Sequence, residues 1–121
     1  MHILIIEDDV LLAVNLQILV EDLGASSSQV AASEEGAIRQ ARHFPPSLII
    51  ADLHLEDGLG VTAVQTIRAS HGNIPVVYMT GDPEEARRLE PTALILSKPL
   101  KEEELIAALE RLKPLMGDAG S

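Results

Sequence analysis

Two hydrophobic periods alternate along the chain. Short apolar runs rich in β-branched residues give way to longer stretches whose apolar residues recur every three or four positions. His2–Ile6 (HILII) is the first short run, followed at once by acids, and it reads as a buried strand. Val10–Leu23 then carries Leu12, Leu16, Leu19 and Leu23 at helical spacing, with a second stripe of Leu11, Val14 and Ile18. This helix is therefore apolar over more than one face, and Gly24 is its stop. Gln29–Ala32 reads as a weak strand. Ser33 is placed as an N-cap, with Glu34 and Glu35 in the first turn, where the helix dipole favours acids. That helix runs to His43 and ends before Pro45-Pro46.

Ser47–Ala51 is a third strand, and His54–Gly60 a loop with two glycines. A helix over Val61–Ala69 buries Val61, Val64 and Ile67, and Ile74–Met79 is a fourth strand. Gly81–Glu90 is short and polar, with Glu84 and Glu85 as caps of a short helix after Pro83. Ala93–Leu96 is a fifth strand, and Lys101–Leu112 a last helix with Leu105, Leu109 and Leu112 inward. One domain over residues 1–114 is expected, followed by a flexible tail over 115–121. Five β-α units in a row imply a parallel sheet covered by helices on both faces. The economical fold at this length is a flavodoxin-like (βα)5 doubly wound α/β sheet, strand order 2-1-3-4-5. Such sheets put their chemistry outside the carboxyl ends of the strands, between strands 1 and 3.

Composition narrows the function. Nineteen acids against nine bases give a formal net charge of −10, which argues against nucleic acid and against an anionic membrane surface. There is no Cys, so thiolate chemistry and disulfides are excluded. No apolar run is long enough to span a bilayer, and MHILIIEDD lacks the basic region and cleavage site of a signal peptide, so a cytoplasmic protein is expected. Aromatics make up 2%, so the core must be aliphatic. His2, His43 and His71 read as surface residues.

The strand ends carry the candidate chemistry. Strand 1 ends in Glu7-Asp8-Asp9 and strand 3 in Asp52, and the predicted topology makes these ends neighbours. Carboxylates so crowded call for a cation, and hard oxygen ligands with room for water suit Mg²⁺. Strand 4 ends in Thr80-Gly81 and strand 5 in Ser97-Lys98-Pro99. Acids, a hydroxyl, a small residue and an ammonium at one edge suit a phosphoryl group, with a carboxylate as nucleophile.

In order and after successive strands, ILIIEDD, LIIADLHLEDGLG, VVYMTG and LSKP resemble the receiver domain of two-component response regulators over His2 to Lys113. The resemblance implies that Asp52 is the phosphoacceptor. It implies a Mg²⁺ site made of Asp8, Asp52 and the backbone carbonyl of His54, with Glu7 acting through water. Thr80, Gly81 and Lys98 would bind the phosphoryl group, and the Lys98-Pro99 bond would be cis, as is usual in the family. His54 and Asp82 are candidate tuning positions for dephosphorylation. The implied partners are a sensor histidine kinase or phosphotransfer protein, and an unnamed downstream protein. The chain would be a monomer or weak dimer and no enzyme beyond assisting its own phosphorylation and dephosphorylation.

Three features depart from the family pattern. Ile95 stands three positions before the lysine, where the family carries an aromatic switch residue. Thr80 and Lys98 are 18 positions apart, shorter than the common pattern by about four residues, one helical turn. The fourth helix is therefore expected to be short or irregular. Glu56 replaces the usual proline after the phosphoacceptor. With YMTG on strand 4, these features resemble an atypical alphaproteobacterial subgroup with an F-A-T-G-type motif, found alone or in anti-anti-sigma regulators. Tyr78-Met79 stands where Phe-Ala would be. The missing aromatic also motivates an alternative, a receiver fold that only binds partners. An aspartyl-phosphate hydrolase would need a second Asp two residues past its nucleophile on strand 1, and Val10 occupies that place relative to Asp8. The second apolar stripe of the first helix is expected either to pack on the fifth helix or to meet a partner.

Overall fold

The computed structural model describes residues 1–116. Strands β1 (His2–Ile6), β2 (Ser27–Ala31) and β3 (Leu48–Asp52) are followed by a small antiparallel hairpin, β4 (His54–Leu55) and β5 (Gly58–Leu59), and then by β6 (Val76–Thr80) and β7 (Leu94–Ser97). The helices are α1 (Val10–Asp22), α2 (Glu34–His43), α3 (Gly60–His71), α4 (Pro83–Leu89) and α5 (Glu102–Leu112), with a 3-10 turn over Lys113–Leu115. The five-stranded sheet is parallel throughout, in the order β2-β1-β3-β6-β7. With the hairpin set aside, this is the predicted 2-1-3-4-5.

Each strand feeds both faces of the sheet because its side chains alternate. Leu4, Ile6, Ile49, Ala51, Val76 and Tyr78 pack on one face with residues of α2, α3 and α4. Ile3, Ile5, Leu48, Ile50, Val77 and Met79 pack on the other with α1 and α5. The cores are aliphatic apart from Tyr78, which is fully buried.

Several expectations need correction. The loop over residues 54–60 contains the β4–β5 ladder, in which His54 pairs with Leu59 and Leu55 with Gly58. β2 starts at Ser27, two residues early, because the register with β1 sets His2 against Ser27 and Ile3 against Ser28. Main-chain pairing there outweighs a polar sequence. Asp82, not Glu84 or Glu85, caps α4, accepting from Glu85 N at 3.1 Å. His2 is buried rather than exposed: it bonds Ser27 Oγ through Nδ1 at 2.7 Å and stacks on Phe44 with ring centroids 3.9 Å apart.

Other details match. Ser33 caps α2 by accepting from Gly36 N at 3.0 Å, and Gly24 ends α1 at a φ of 111°. α4 is short, at seven residues. In α1, Leu16 and Val20 are buried, whereas Leu11 and Ile18 are 74% and 56% exposed and Val14 is exposed beside them. The second stripe therefore does not pack on α5. No helix among the described residues is long and apolar enough to cross a membrane. Of the expected tail, Leu115 belongs to the 3-10 turn, and residues 117–121 lie outside the described residues.

Candidate functional site at the carboxyl edge of the sheet

β1 and β3 are adjacent and in register, Ile6 beside Ala51, so the acids after β1 and Asp52 at the end of β3 converge. Glu7, Asp8 and Asp52 offer carboxylate oxygens that all lie within 4.8 Å of one another. Lys98, just past the end of β7, reaches across the edge. Its Nζ donates to Asp52 Oδ2 at 2.8 Å and to Glu7 Oε1 at 3.1 Å. One ammonium thus bridges two acids 45 positions apart in sequence.

Glu7 is 1% exposed. Burial pushes its carboxyl above the usual range; the Asp9 N–H and Lys98 pull the other way, and the Asp52 charge adds to the rise. Burial alone would lower the Lys98 ammonium, but hydrogen bonds to Asp52 and Glu7, with their charges, more than offset it and leave it raised. The second oxygen of Glu7 accepts from Asp9 N at 2.9 Å. Asp9 itself caps α1, accepting from Leu11 N and Leu12 N at 3.0 and 3.2 Å. Asp8 Oδ2 accepts from Glu56 N at 2.7 Å. A proline at position 56 has no N–H and could not make this bond.

Thr80 is buried at the end of β6. Its Oγ1 accepts from Asp82 N at 2.9 Å, and its carbonyl accepts from Lys98 N at 2.8 Å. The strand register therefore fixes Thr80 and Lys98 to each other. The Lys98-Pro99 bond is cis. Gly81 opens onto free space: a Cβ there would meet nothing within 4 Å. The Asp82 side chain is committed to the α4 cap. His54 N lies 3.4 Å from Asp52 Oδ1, and its imidazole Nε2 donates to Glu85 Oε1 on α4 at 2.5 Å. Ile95 is half-buried and packs with the core beside α4.

A model of the response regulator receiver domain matches residues 3–110. The chain belongs to that family. Among curated relatives, this receiver is 36% identical to the phyllosphere-induced regulator PhyR of Methylorubrum extorquens over 115 residues, covering 91% of the chain and 42% of the relative. It is 26% identical to the cell cycle transcriptional regulator CtrA of Caulobacter vibrioides, over 90% of the chain and 48% of that protein. The receiver thus spans about half the length of these relatives. Among solved structures, the PhyR receiver domain of Erythrobacter litoralis superposes with a TM-score of 0.83 at 31% identity, covering 97% of this chain and 92% of that one. Receivers of this family hold Mg²⁺ at an acidic pocket, and the triad Glu7, Asp8 and Asp52 could bind a metal.

The fold thus brings Asp52, Glu7, Asp8, Thr80 and Lys98 to one edge, as the strand-end reading expected. Four contributors escaped it. Glu85 and Glu90 act through contacts that helical spacing does not announce. Tyr78 reads only as a departure from the strand-4 motif, with no contact assigned to it. Gly60 is the fourth: a Cβ on it would lie 1.9 Å from the Asp52 carbonyl oxygen. Gly60 N also donates to Leu53 O at 2.9 Å, so α3 starts directly behind Asp52. The glycine after DGL in the sequence was the available signal.

Proposed function

We propose that this receiver is a phosphorylation-dependent signalling switch that accepts a phosphoryl group on Asp52 from a sensor histidine kinase or phosphotransfer protein. The observation that carries the reading is the Lys98 bridge to Asp52 and Glu7 inside a cluster of three acids. Such a site sets a nucleophile, a cation and hydrogen-bond donors around one position.

In transfer, an Asp52 oxygen attacks the phosphorus of the donor's phosphohistidine. A P–O bond forms, the P–N bond breaks, and the imidazole leaves. The Lys98 ammonium balances charge on the phosphoryl oxygens. Thr80 Oγ1 accepts from Asp82 N–H on one lone pair, an orientation that lets its own O–H donate to a phosphoryl oxygen. Asp8, Asp52 and the His54 carbonyl would hold Mg²⁺, which when bound adds positive charge beside those oxygens. Both oxygens of Glu7 already accept hydrogen bonds, from Lys98 and from Asp9 N, which suits a role through water. Hydrolysis of the acyl phosphate restores Asp52 and releases phosphate; His54 is the proposed tuning position, and Asp82 would tune through its backbone N–H on Thr80 Oγ1, since its side chain caps α4. The exposed Leu11, Val14 and Ile18 face suits docking of the donor. The output is changed affinity for a downstream protein in the cytoplasm, by a monomer or weak dimer that turns over no other substrate.

Ile95 in place of an aromatic favours a second reading, an interaction module that does not switch. Intact-mass spectrometry after incubation with acetyl phosphate and Mg²⁺ separates the two. The switch gives one adduct of about 80 Da that needs the metal and is lost in Asp52→Asn. A receiver that neither binds Mg²⁺ nor forms the adduct is the interaction module.

A further inference from the structure

Helix α4 has seven residues, too few for a helix to hold itself in water. Besides the Asp82 cap, two side-chain bonds and one buried methyl hold it to the rest of the fold. At its first turn, Glu85 Oε1 accepts from His54 Nε2 at 2.5 Å. Just past its last turn, Glu90 Oε1 accepts from the Tyr78 hydroxyl at 3.1 Å. Between them Ala86 is fully buried in the cluster that contains Tyr78.

Both ties lead back to the phosphoryl site. His54 is two residues past Asp52 and directs its backbone N–H at Asp52 Oδ1. Tyr78 lies two residues before Thr80 and pairs in register with Ile95. It is the chain's one tyrosine and is 0% exposed. Its ring therefore borders the place where the family's strand-5 aromatic would stand, from the neighbouring strand. A buried hydroxyl needs a partner, and Glu90 is the one it has. Burial, with the charge and hydrogen bond of Glu90, pushes the phenol well above its ordinary range, so it stays a donor.

We propose that His54–Glu85 and Tyr78–Glu90 form a two-point latch that holds α4 in the unphosphorylated state and opens when Asp52 is phosphorylated. The inference rests on Asp52 being the phosphoacceptor. A phosphoryl group brings about two negative charges and strong acceptor oxygens to within two residues of His54. Those oxygens compete with Glu85 for the imidazole and repel the Glu85 carboxylate. The ligand thus interacts differently with the latched and released positions, which is what a population shift requires. With the His54 tie gone, α4 keeps the Asp82 cap, the buried Ala86 methyl and the Tyr78–Glu90 bond, and release of that last bond frees its final turn.

The test uses the Ala86 and Glu90 amides, which bond Asp82 O and Ala86 O, and the ¹³Cζ resonance of the one tyrosine. Tyr78→Phe removes only the hydroxyl. Without phosphodonor it should speed hydrogen exchange of those two amides up to about tenfold, the effect of one hydrogen bond, with β1 and β3 amides unchanged. Acetyl phosphate and Mg²⁺ should do the same to the parent protein and move the tyrosine resonance. In Glu85→Ala the α4 amides should exchange fast beforehand and respond little to the donor. An adduct that leaves the tyrosine resonance and α4 exchange unmoved overturns the latch and leaves the phosphoacceptor reading standing. So does a Glu85→Ala variant that responds like the parent, or a Tyr78→Phe variant with unchanged α4 exchange. A receiver that neither binds Mg²⁺ nor forms the adduct overturns the phosphoacceptor reading and the latch's trigger with it.

Discussion

Lys98 Nζ sits 2.8 Å from Asp52 Oδ2 while its other bond, at 3.1 Å, goes to a glutamate that is 1% exposed. The lysine serves two ends at once. It neutralises charge where a phosphoryl group would form, and it pairs the buried Glu7, whose other oxygen has only the Asp9 N–H. Lys98→Met should therefore lose the acetyl phosphate adduct and also destabilise the fold, by about 1–3 kcal/mol for a buried acceptor left without its charged donor. Urea unfolding at pH 7.5 gives the second quantity. A variant of unchanged stability would mean that Glu7 is not held by this contact.

Gly60 and Gly81 flank the site and should respond in opposite ways to the same substitution. A Cβ at Gly60 would meet the Asp52 carbonyl oxygen at 1.9 Å, and that atom is backbone and cannot swing aside. Gly60→Ala should cost at least 1–3 kcal/mol, the range for overpacking, and reduce the adduct by displacing Asp52. Gly81→Ala places its methyl in open space and should stay within about 0.5 kcal/mol of the parent. Its effect on the adduct then reports the room a phosphoryl group needs, free of any change in folding. Equal unfolding midpoints for the two variants would contradict the packing of α3 behind β3.

These contrasts bear on what a sequence can announce. The strand order was legible because buried parallel strands read as continuous apolar runs, and Ile3–Ile6 and Leu48–Ala51 are such runs. The acids, Thr80 and Lys98 were legible because chemistry in this topology gathers at strand ends. Tyr78–Glu90 and His54–Glu85 were not, since each joins a strand or loop residue to a helix whose placement no periodicity gives. His2 was misread because a terminal histidine is usually solvated; its burial depends on Phe44, 42 positions away, stacking over it. The β4–β5 hairpin was missed because its arms are two residues each, below the length at which alternation is visible. Mg²⁺ binding and phosphorylation rest on the proposal rather than on the fold.

His2 supplies a pH dependence with a definite sign. Burial holds its imidazole below the ordinary value of 6.5, the Met1 ammonium adds to the effect, and the neighbouring Gln29 side chain and Ser27 oppose it. Its Nε2 is buried with no partner among the described residues. The unfolded chain therefore binds this proton more readily than the folded one. The stability contribution is complete above pH 6.5 and is lost as pH falls from there through the lower folded value. Carboxylates titrate at lower pH, so the comparison is with His2→Leu, which keeps the apolar stack and cannot take up a proton. Thermal midpoints from pH 7.5 to 5 should fall more steeply for the parent than for His2→Leu. Parallel curves would mean that the histidine is hydrated in the folded state.

The two stripes of α1 give the last contrast. Leu16 lies fully buried against β1 and β3 residues, while Ile18, two positions on, is 56% exposed. Leu16→Ala should cost about 2–5 kcal/mol, the transfer loss plus the cavity. Ile18→Asp should leave stability within about 0.5 kcal/mol of the parent, because more than half of its surface already faces solvent. If the exposed stripe receives the phosphodonor, Ile18→Asp also separates two routes to Asp52. Acetyl phosphate needs no docking surface, so the adduct it forms should be unchanged. Transfer from a phosphorylated histidine kinase needs the apolar face, and a buried carboxylate at its centre should slow it at least tenfold, since burying an unpaired charge costs more than the 1.4 kcal/mol that factor represents. Equal slowing by both donors would place the defect in the site rather than on the helix.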